Sequence, residues 1–321
     1  MIRIGFVIVS HRDQAQLLRL VTTLNAIYGR PPIACHHDWS QAPLDPGAFP
    51  ENVRFVRPSR RTGWAKWSVV AATLDALALL YEGDRYARGG PDWFVLMSAA
   101  DYPIRPARAV LEELAGSPYD AYLDAQPIGK ARPAATLHGA RNPKLDQFDL
   151  PGNRRLKWDH SLGAQIWIPI IRRKPRLRPG RHTIHLPFET PFHPFTDDFG
   201  VFYGDHWFSG NRRVAALLLN PTLRHLKLQR HLSMRTSPDE CYYQTVLCNT
   251  PGLSICLDNK RYAEWNGGGA HPMDLTPAQV PELFASDAHF ARKFAPRSPA
   301  LDMVDARLLS APAEATSAHL A

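Results

Sequence analysis

Sulfur chemistry is scarce in this 321-residue chain, which has four cysteines (Cys35, Cys241, Cys248, Cys256) and no CxxC spacing. That excludes a zinc knuckle and a disulfide-stapled scaffold, and it fits buried thiols in a reducing compartment. No segment reaches the roughly 20 apolar residues that a membrane-spanning helix needs. Met1 to Val9 reads as a strand rather than a signal sequence, for it lacks a long apolar core and a small-residue cleavage site. A Gly-rich phosphate loop is also missing, because Gly267-Gly268-Gly269 lacks the strand-then-helix setting of a dinucleotide fingerprint. There is no internal repeat. With 45% hydrophobic residues, the chain is long enough for one large α/β domain or two small ones with a buried core.

Acidic residues are sparse in one region only. Between Pro127 and His185 there are 13 Lys or Arg against three Asp, an excess of +10 that exceeds the net +8 of the whole chain. Such a patch suits nucleic acid, an anionic lipid surface or a negatively charged substrate, and equally a solvated surface. Prolines interrupt Arg172 to Arg181, so this run is expected to be an exposed loop and not a DNA-reading helix.

Strand and helix patterns alternate through the first 115 residues. Ile2–Ser10 reads as a strand and Gln14–Tyr28 as a helix with Leu17, Leu18, Val21, Leu24 and Ile27 on one face. A short strand ends at His36-His37-Asp38, another spans Val53–Val56, and a helix runs from about Trp67 to Tyr81. Trp93–Ser98 is a continuous apolar run, as expected for a central strand buried on both faces. This rhythm implies a mostly parallel sheet with helices on both faces, and binding residues at the carboxyl ends of its strands. From Pro127 to Pro194 the pattern loosens into a long insertion expected to lie over the site. Helices return at Arg212–Leu219 and after Glu240, and residues 296–321 read as a frayed tail.

Ser237-Pro238-Asp239-Glu240 places two acids ahead of the apolar run Cys241, Tyr242, Tyr243, Val246, Leu247. Ser237 can serve as N-cap, Pro238 suits a first helical turn, and the helix dipole favours anions there. Such a turn can present a general base, or it can simply begin a helix.

In their order, these segments resemble the core-2/I-branching β-1,6-N-acetylglucosaminyltransferases, glycosyltransferase family 14, which includes the peptide O-xylosyltransferases. The resemblance runs from about Ile2 to Phe294. It rests on Ile8-Val9-Ser10-His11, His36-His37-Asp38, Gly63-Trp64-Ala65-Lys66-Trp67-Ser68 and Leu96-Met97-Ser98-Ala99-Ala100-Asp101-Tyr102-Pro103-Ile104. Later come Phe208-Ser209, the Ser237–Glu240 motif, Arg261-Tyr262-Ala263-Glu264-Trp265 and Phe290-Ala291-Arg292-Lys293-Phe294.

The resemblance implies a GT-A type nucleotide-sugar fold working by inversion on a UDP-sugar, with N-acetylglucosamine favoured over xylose. Glu240 inherits the role of catalytic base, taking the acceptor hydroxyl proton as the oxygen attacks the anomeric carbon. A metal site of the Asp-x-Asp kind would need two acids where this chain has only Asp101; Asp197-Asp198 reads as a turn. No metal and no cofactor is therefore expected. The family uses a lysine against the diphosphate, which maps to Lys293 with Arg292 beside it, and Arg261 or His271 is the candidate second charge unless Lys293 acts alone. His11, Asp38, Trp64 and Asp101 are the remaining candidates on the donor side; Trp64 and Trp67 suit uracil stacking or core packing alike. His36 and His37 point to opposite faces of a strand and do not readily share a metal. On the acceptor side the candidates are Trp207, Glu264 and Trp265, with Trp158 in the insertion.

A single glycosyltransferase domain is thus expected over residues 1–295: a nucleotide-binding half (1–125), a basic proline-rich insertion (126–196) and an acceptor and catalytic half (197–295). A flexible tail (296–321) follows. Expected partners are a glycan, lipid-linked glycan or polysaccharide acceptor, and an anionic membrane surface met through residues 127–185. The expected place is the cytoplasm, peripheral at the inner membrane face. Two rival readings are a metal-dependent GT-A transferase of another family and a basic nucleic-acid-binding protein.

Overall fold

Strand β1 (Ile4–Ser10) is apolar at successive positions because both of its faces are covered. Alternate residues enter two separate cores: Val7 joins one with Phe94 and Leu96, whereas Ile4, Phe6 and Ile8 join the other with Val95 and Met97. The computed structural model that shows this describes residues 2–82, 90–128, 194–233, 235, 237–265 and 271–310, with five short strands between 136 and 185.

Helix α1 (Gln14–Tyr28) follows, its first turn capped by Asp13, which accepts from the Gln16 N–H at 2.9 Å, and its end closed by Gly29 at φ 66°. Then come β2 (Ile33–His37), β3 (Val53–Phe55), α2 (Trp67–Leu80) and β4 (Trp93–Ser98). The order β3-β2-β1-β4 is parallel throughout. Beyond β4 the sheet continues with Ser209–Asn211, which runs antiparallel to both neighbours, then Ala121–Tyr122, Ser254–Cys256 and Thr136–His138. Helix α1 packs on one face and α2 on the other, giving the α/β layers that the alternating pattern predicts. A second sheet of three strands joins Tyr102–Pro103, Phe290–Arg292 and Arg261–Ala263, and carries several candidate site residues at its rim.

Three local expectations are corrected. Ser237 does not cap with its side chain: it sits at φ 54°, Pro238–Glu240 forms a 3-10 turn, and the α-helix starts only at Tyr242. Arg176–Pro179 is not loop but strand, paired antiparallel with Ala164–Trp167 and Ile184–His185, with a proline just before it and another as its last residue. The remainder of Arg172–Arg181, the position of the insertion, Trp158 and Gly267–Gly269 lie outside the described residues. Finally, residues from 296 onward are not all frayed, because Pro299–Leu309 is a helix whose Ala300, Leu301, Val304 and Leu308 are buried.

Apolar spacing at 300, 301, 304 and 308 makes that helix part of the core, and charge fixes it there. Arg19 of α1 reaches Asp302 at 2.7 Å and Asp305 at 2.6 Å, while the Tyr102 hydroxyl donates to Asp305 at 2.7 Å. Leu301→Ala should therefore lower the unfolding free energy by about 2–5 kcal/mol, measured by urea denaturation; an unchanged midpoint would show that the helix adds nothing to the core.

Candidate active site

Four carboxyl-end segments meet at one edge of the main sheet. The backbone itself ties them together: Asp38 N–H donates to Ser10 O at 2.9 Å, Phe294 N–H to Ala100 O at 2.9 Å, and Ser237 N–H to Ala65 O at 2.9 Å. Thus the ends of β1, β2 and β4, the Gly63–Lys66 turn, the Phe290–Phe294 strand end and the turn bearing Glu240 share a single rim, where ligands bind in open α/β sheets.

Cations gather at this rim. The His271 ring lies 5.4 Å from Trp64, and its pKa is lowered by burial and then by Lys293, Arg292 and Arg12. Trp64 is 57% exposed, whereas Trp67 packs against the core, 5.2 Å from the buried Tyr242, so core packing describes Trp67 and not Trp64. His11 is exposed beside Arg12, and burial of its ring followed by the Arg12 charge lowers its pKa. Lys293 is partly exposed, 3.7 Å from Asp274.

Arg292 is aimed by its neighbours. Its Nε donates to Asp101 Oδ1 at 3.2 Å, and its guanidinium lies 4.9 Å from the centre of the Trp207 ring. Asp101 is fully buried and also accepts from the Ser98 N–H (3.0 Å) and Ser98 Oγ (2.6 Å). It is consequently a positioning residue for Arg292 and not a donor-binding one, since no part of it reaches solvent. Trp207 likewise presents one face to Arg292.

Two further candidates change role. Asp38, only 1% exposed, accepts from the Ser40 N–H and Oγ, from Gln41 Nε2 and from the Thr62 N–H and Oγ1. Five donors leave it as a clip between two loops rather than a ribose ligand. Arg261 is buried, donates to the Leu96 carbonyl at 3.1 Å and sits over Phe290 at 4.6 Å. Burial pulls its pKa down to about 10 while Asp101 and Asp205 oppose the fall, so Arg261 balances buried acids instead of reaching the donor. His36 and His37 are used internally: His36 accepts from the Arg60 N–H at 2.9 Å, and His37 bonds Ser10 and Ala42.

Glu240 is half-exposed. Its N–H donates to Ser237 O at 3.2 Å and its carbonyl accepts from the Gly204 N–H at 3.0 Å, which fixes the turn from both sides. On the acceptor side, Glu264 accepts from the Tyr262 hydroxyl at 3.1 Å, and Trp265 is half-buried just past the Arg261–Ala263 strand. Asp197 and Asp198 occupy a tight turn closed by mutual Thr196 and Phe199 hydrogen bonds, as expected. Among the described residues, no three His, Cys, Asp or Glu side chains are grouped to hold a metal.

Sequence reasoning missed Arg12, Asp124, Asp205 and His206. Arg12 could have been found as the cation directly beyond a strand's carboxyl end. His206 is buried against Trp207 (4.5 Å) and Tyr243 (5.5 Å), and that burial pulls its pKa down to about 3.

The model of the Core-2/I-Branching enzyme family matches residues 6–286. The chain belongs to this family. It is similar to two proteins of Arabidopsis thaliana, beta-glucuronosyltransferases GlcAT14B and GlcAT14A, each 26% identical over 268 residues. The match covers 81% of this chain but 52% and 51% of theirs, so the chain spans about half the length of these relatives. Among solved structures it resembles the galactosyltransferase LgtC in complex with donor and acceptor sugar analogues over 97% of this chain and 98% of the other. That resemblance, at 10% identity and a TM-score of 0.38, is too loose to carry an argument.

Burial pushes the Asp38 carboxyl up, but hydrogen bonds from Ser40, Gln41 and Thr62 outweigh it and hold the group well below the usual carboxylate range. A depressed folded-state pKa gives stability that is present above the unfolded value and lost as pH falls toward the folded one. Asp38→Asn should thus lower Tm at pH 7 by several degrees, with the deficit shrinking below about pH 4; a deficit that does not change with pH would contradict this ionised clip.

Proposed function

We propose that this protein is an inverting glycosyltransferase that moves a sugar from a UDP-sugar to a hydroxyl of a glycan, lipid-linked glycan or polysaccharide, with Glu240 as general base. Convergence of Arg12, Arg292, Lys293 and His271 at the rim that also bears the Glu240 turn carries this reading. The two parts of the reaction need opposite chemistry. A departing UDP gathers negative charge that cations can meet, while the incoming hydroxyl must give its proton to a carboxylate.

In this reading Lys293 and Arg12 approach the diphosphate from the carboxyl ends of two different strands, Arg292 adds a charge oriented by Asp101, and exposed Trp64 offers its face to the uracil or the sugar. His11 lines the nucleotide side. Glu264, Trp265 and the free edge of Trp207 border the acceptor. Direct displacement at the anomeric carbon, with proton transfer to Glu240, inverts the configuration in one step. Engagement of Asp101 by Ser98 and Arg292 supports charge neutralisation by side chains rather than by a metal. N-acetylglucosamine remains the favoured sugar and xylose a second; the names of the plant relatives add glucuronic acid. The cation-rich stretch 127–185 fits an anionic membrane surface carrying the acceptor, with the enzyme peripheral on the cytoplasmic side.

A UDP-release assay across these three donors tests the reading. Turnover should persist in EDTA, and Glu240→Gln should lower kcat by about 10²–10⁴-fold while Lys293→Ala chiefly raises KM for the donor. Loss of turnover in EDTA restored by Mn²⁺ would overturn metal independence, and unchanged kcat in Glu240→Gln would overturn the base assignment.

A further inference from the structure

Asp124 follows the Ala121–Tyr122 strand inside the main sheet and is 1% exposed, yet among the described residues its carboxyl has one hydrogen bond: Oδ2 accepts from the Asp205 N–H at 2.9 Å. Its Oδ1 is buried with no partner among the described residues. A buried ionised carboxylate with so few donors is costly. The groups facing it make matters worse, because Asp205 and Asp258 both add negative charge and the Cys248 thiol nearby is neutral, its pKa pushed up by burial.

What Asp124 holds is the turn that holds Glu240. Gly204 lies so close that a Cβ there would stand 1.9 Å from the Asp124 carbonyl oxygen, so only glycine fits. The Gly204 N–H donates to Glu240 O at 3.0 Å, and Gln244, one turn further on, donates to Asp205 O at 2.7 Å. Asn259 closes the third side, donating to Asp205 Oδ2 and to Trp207 O, each at 3.2 Å. Two peptide units therefore connect a buried acid to the proposed base.

We propose that Asp124 is a positioning residue for Glu240, and that it does this in its neutral form: protonated Asp124 lets the Gly204–Asp205 turn seat against it, whereas ionised Asp124 repels the Asp205 carboxylate and loosens the turn. Burial first, with the charges of Asp205 and Asp258 adding to it, raises the Asp124 pKa to about 7 against the opposing pull of the Asp205 N–H hydrogen bond, which puts this exchange in the neutral range. Asp205 is itself raised by burial; Arg292 and Arg261 act in the opposite direction on it and Asp101 in the same direction. Two linked consequences follow. Turnover acquires an alkaline limb that does not belong to Glu240, and because an acid with a raised folded-state pKa costs stability above its unfolded value, Tm falls as pH rises from about 4 to about 7.

Asp124→Asn keeps an acceptor for the Asp205 N–H but cannot ionise. The activity arm rests on the proposed transferase reading; the stability arm does not. We expect wild-type kcat to decline above about pH 7 with little change in donor KM, and Asp124→Asn to hold its kcat through that range. Asp205→Asn removes the charge that ionised Asp124 repels, so it should flatten the limb as well, and it serves if Asp124→Asn folds poorly. Thermal unfolding between about pH 4 and about 8.5 supplies the independent readout: the Tm advantage of Asp124→Asn should grow up to about pH 7 and level off above it. A limb at the same pH in all three proteins, or a Tm difference that does not vary with pH, would overturn the role of Asp124. A wild type without transfer activity would instead overturn the transferase reading, and one equalled by Glu240→Gln the base assignment; either leaves the Tm result to judge the ionisation of Asp124.

Discussion

A pair of opposite charges, buried Asp101 with partly exposed Arg292, is the constraint on which the site depends. Asp101 is fully buried at the end of β4, and Arg292 comes from the other sheet, almost 200 residues along the chain. Removing one member of such a pair typically costs about 3–5 kcal/mol, since the partner is left charged and desolvated. The pair is consequently a strong specifier of how the two sheets meet. Arg261 lies against the same acids, and its donation to the Leu96 carbonyl fastens the third strand of the small sheet to β4. Once these contacts are made, Lys293, which also reaches Asp274 at 3.7 Å, and Arg12 face the same space beside His271.

The site thus has two tiers. Buried polar groups, Asp38, Asp101, Arg261 and Asp124, hold the loops; exposed or half-exposed ones, His11, Arg12, Trp64, Lys293 and Glu240, meet solvent. Residue type alone does not separate the tiers, because a strand-end aspartate suits either, and the distinction appears only when donors are counted around each carboxylate.

Much of the architecture was legible in the sequence. Gln14–Tyr28 and Arg212–Leu219 have the bounds their periodicity predicts, and the apolar run Trp93–Ser98 is a central strand as its two-faced burial requires. The Pro299–Leu309 helix was not legible, since its apolar residues are interleaved with Asp302, Asp305 and Arg307, and its anchor, Arg19, lies near the other end of the chain. Ser237 misled for a related reason: its spacing reads as a cap, but the close approach of Ala65 pulls its backbone into the left-handed region. Asp124 left no local signature at all, because its significance depends on Gly204 and Asp205, about 80 positions away.

The proposed sugar transfer, with side-chain cations taking the leaving diphosphate, rests on family membership and on the geometry of the rim. A crystal structure with UDP bound tests this most directly. The account predicts diphosphate oxygens within hydrogen-bond distance of Lys293 and Arg12, uracil beside Trp64 or His11, and open space next to the Glu240 carboxylate. A diphosphate bound away from these cations, or bridged to the protein by a metal ion, would contradict it.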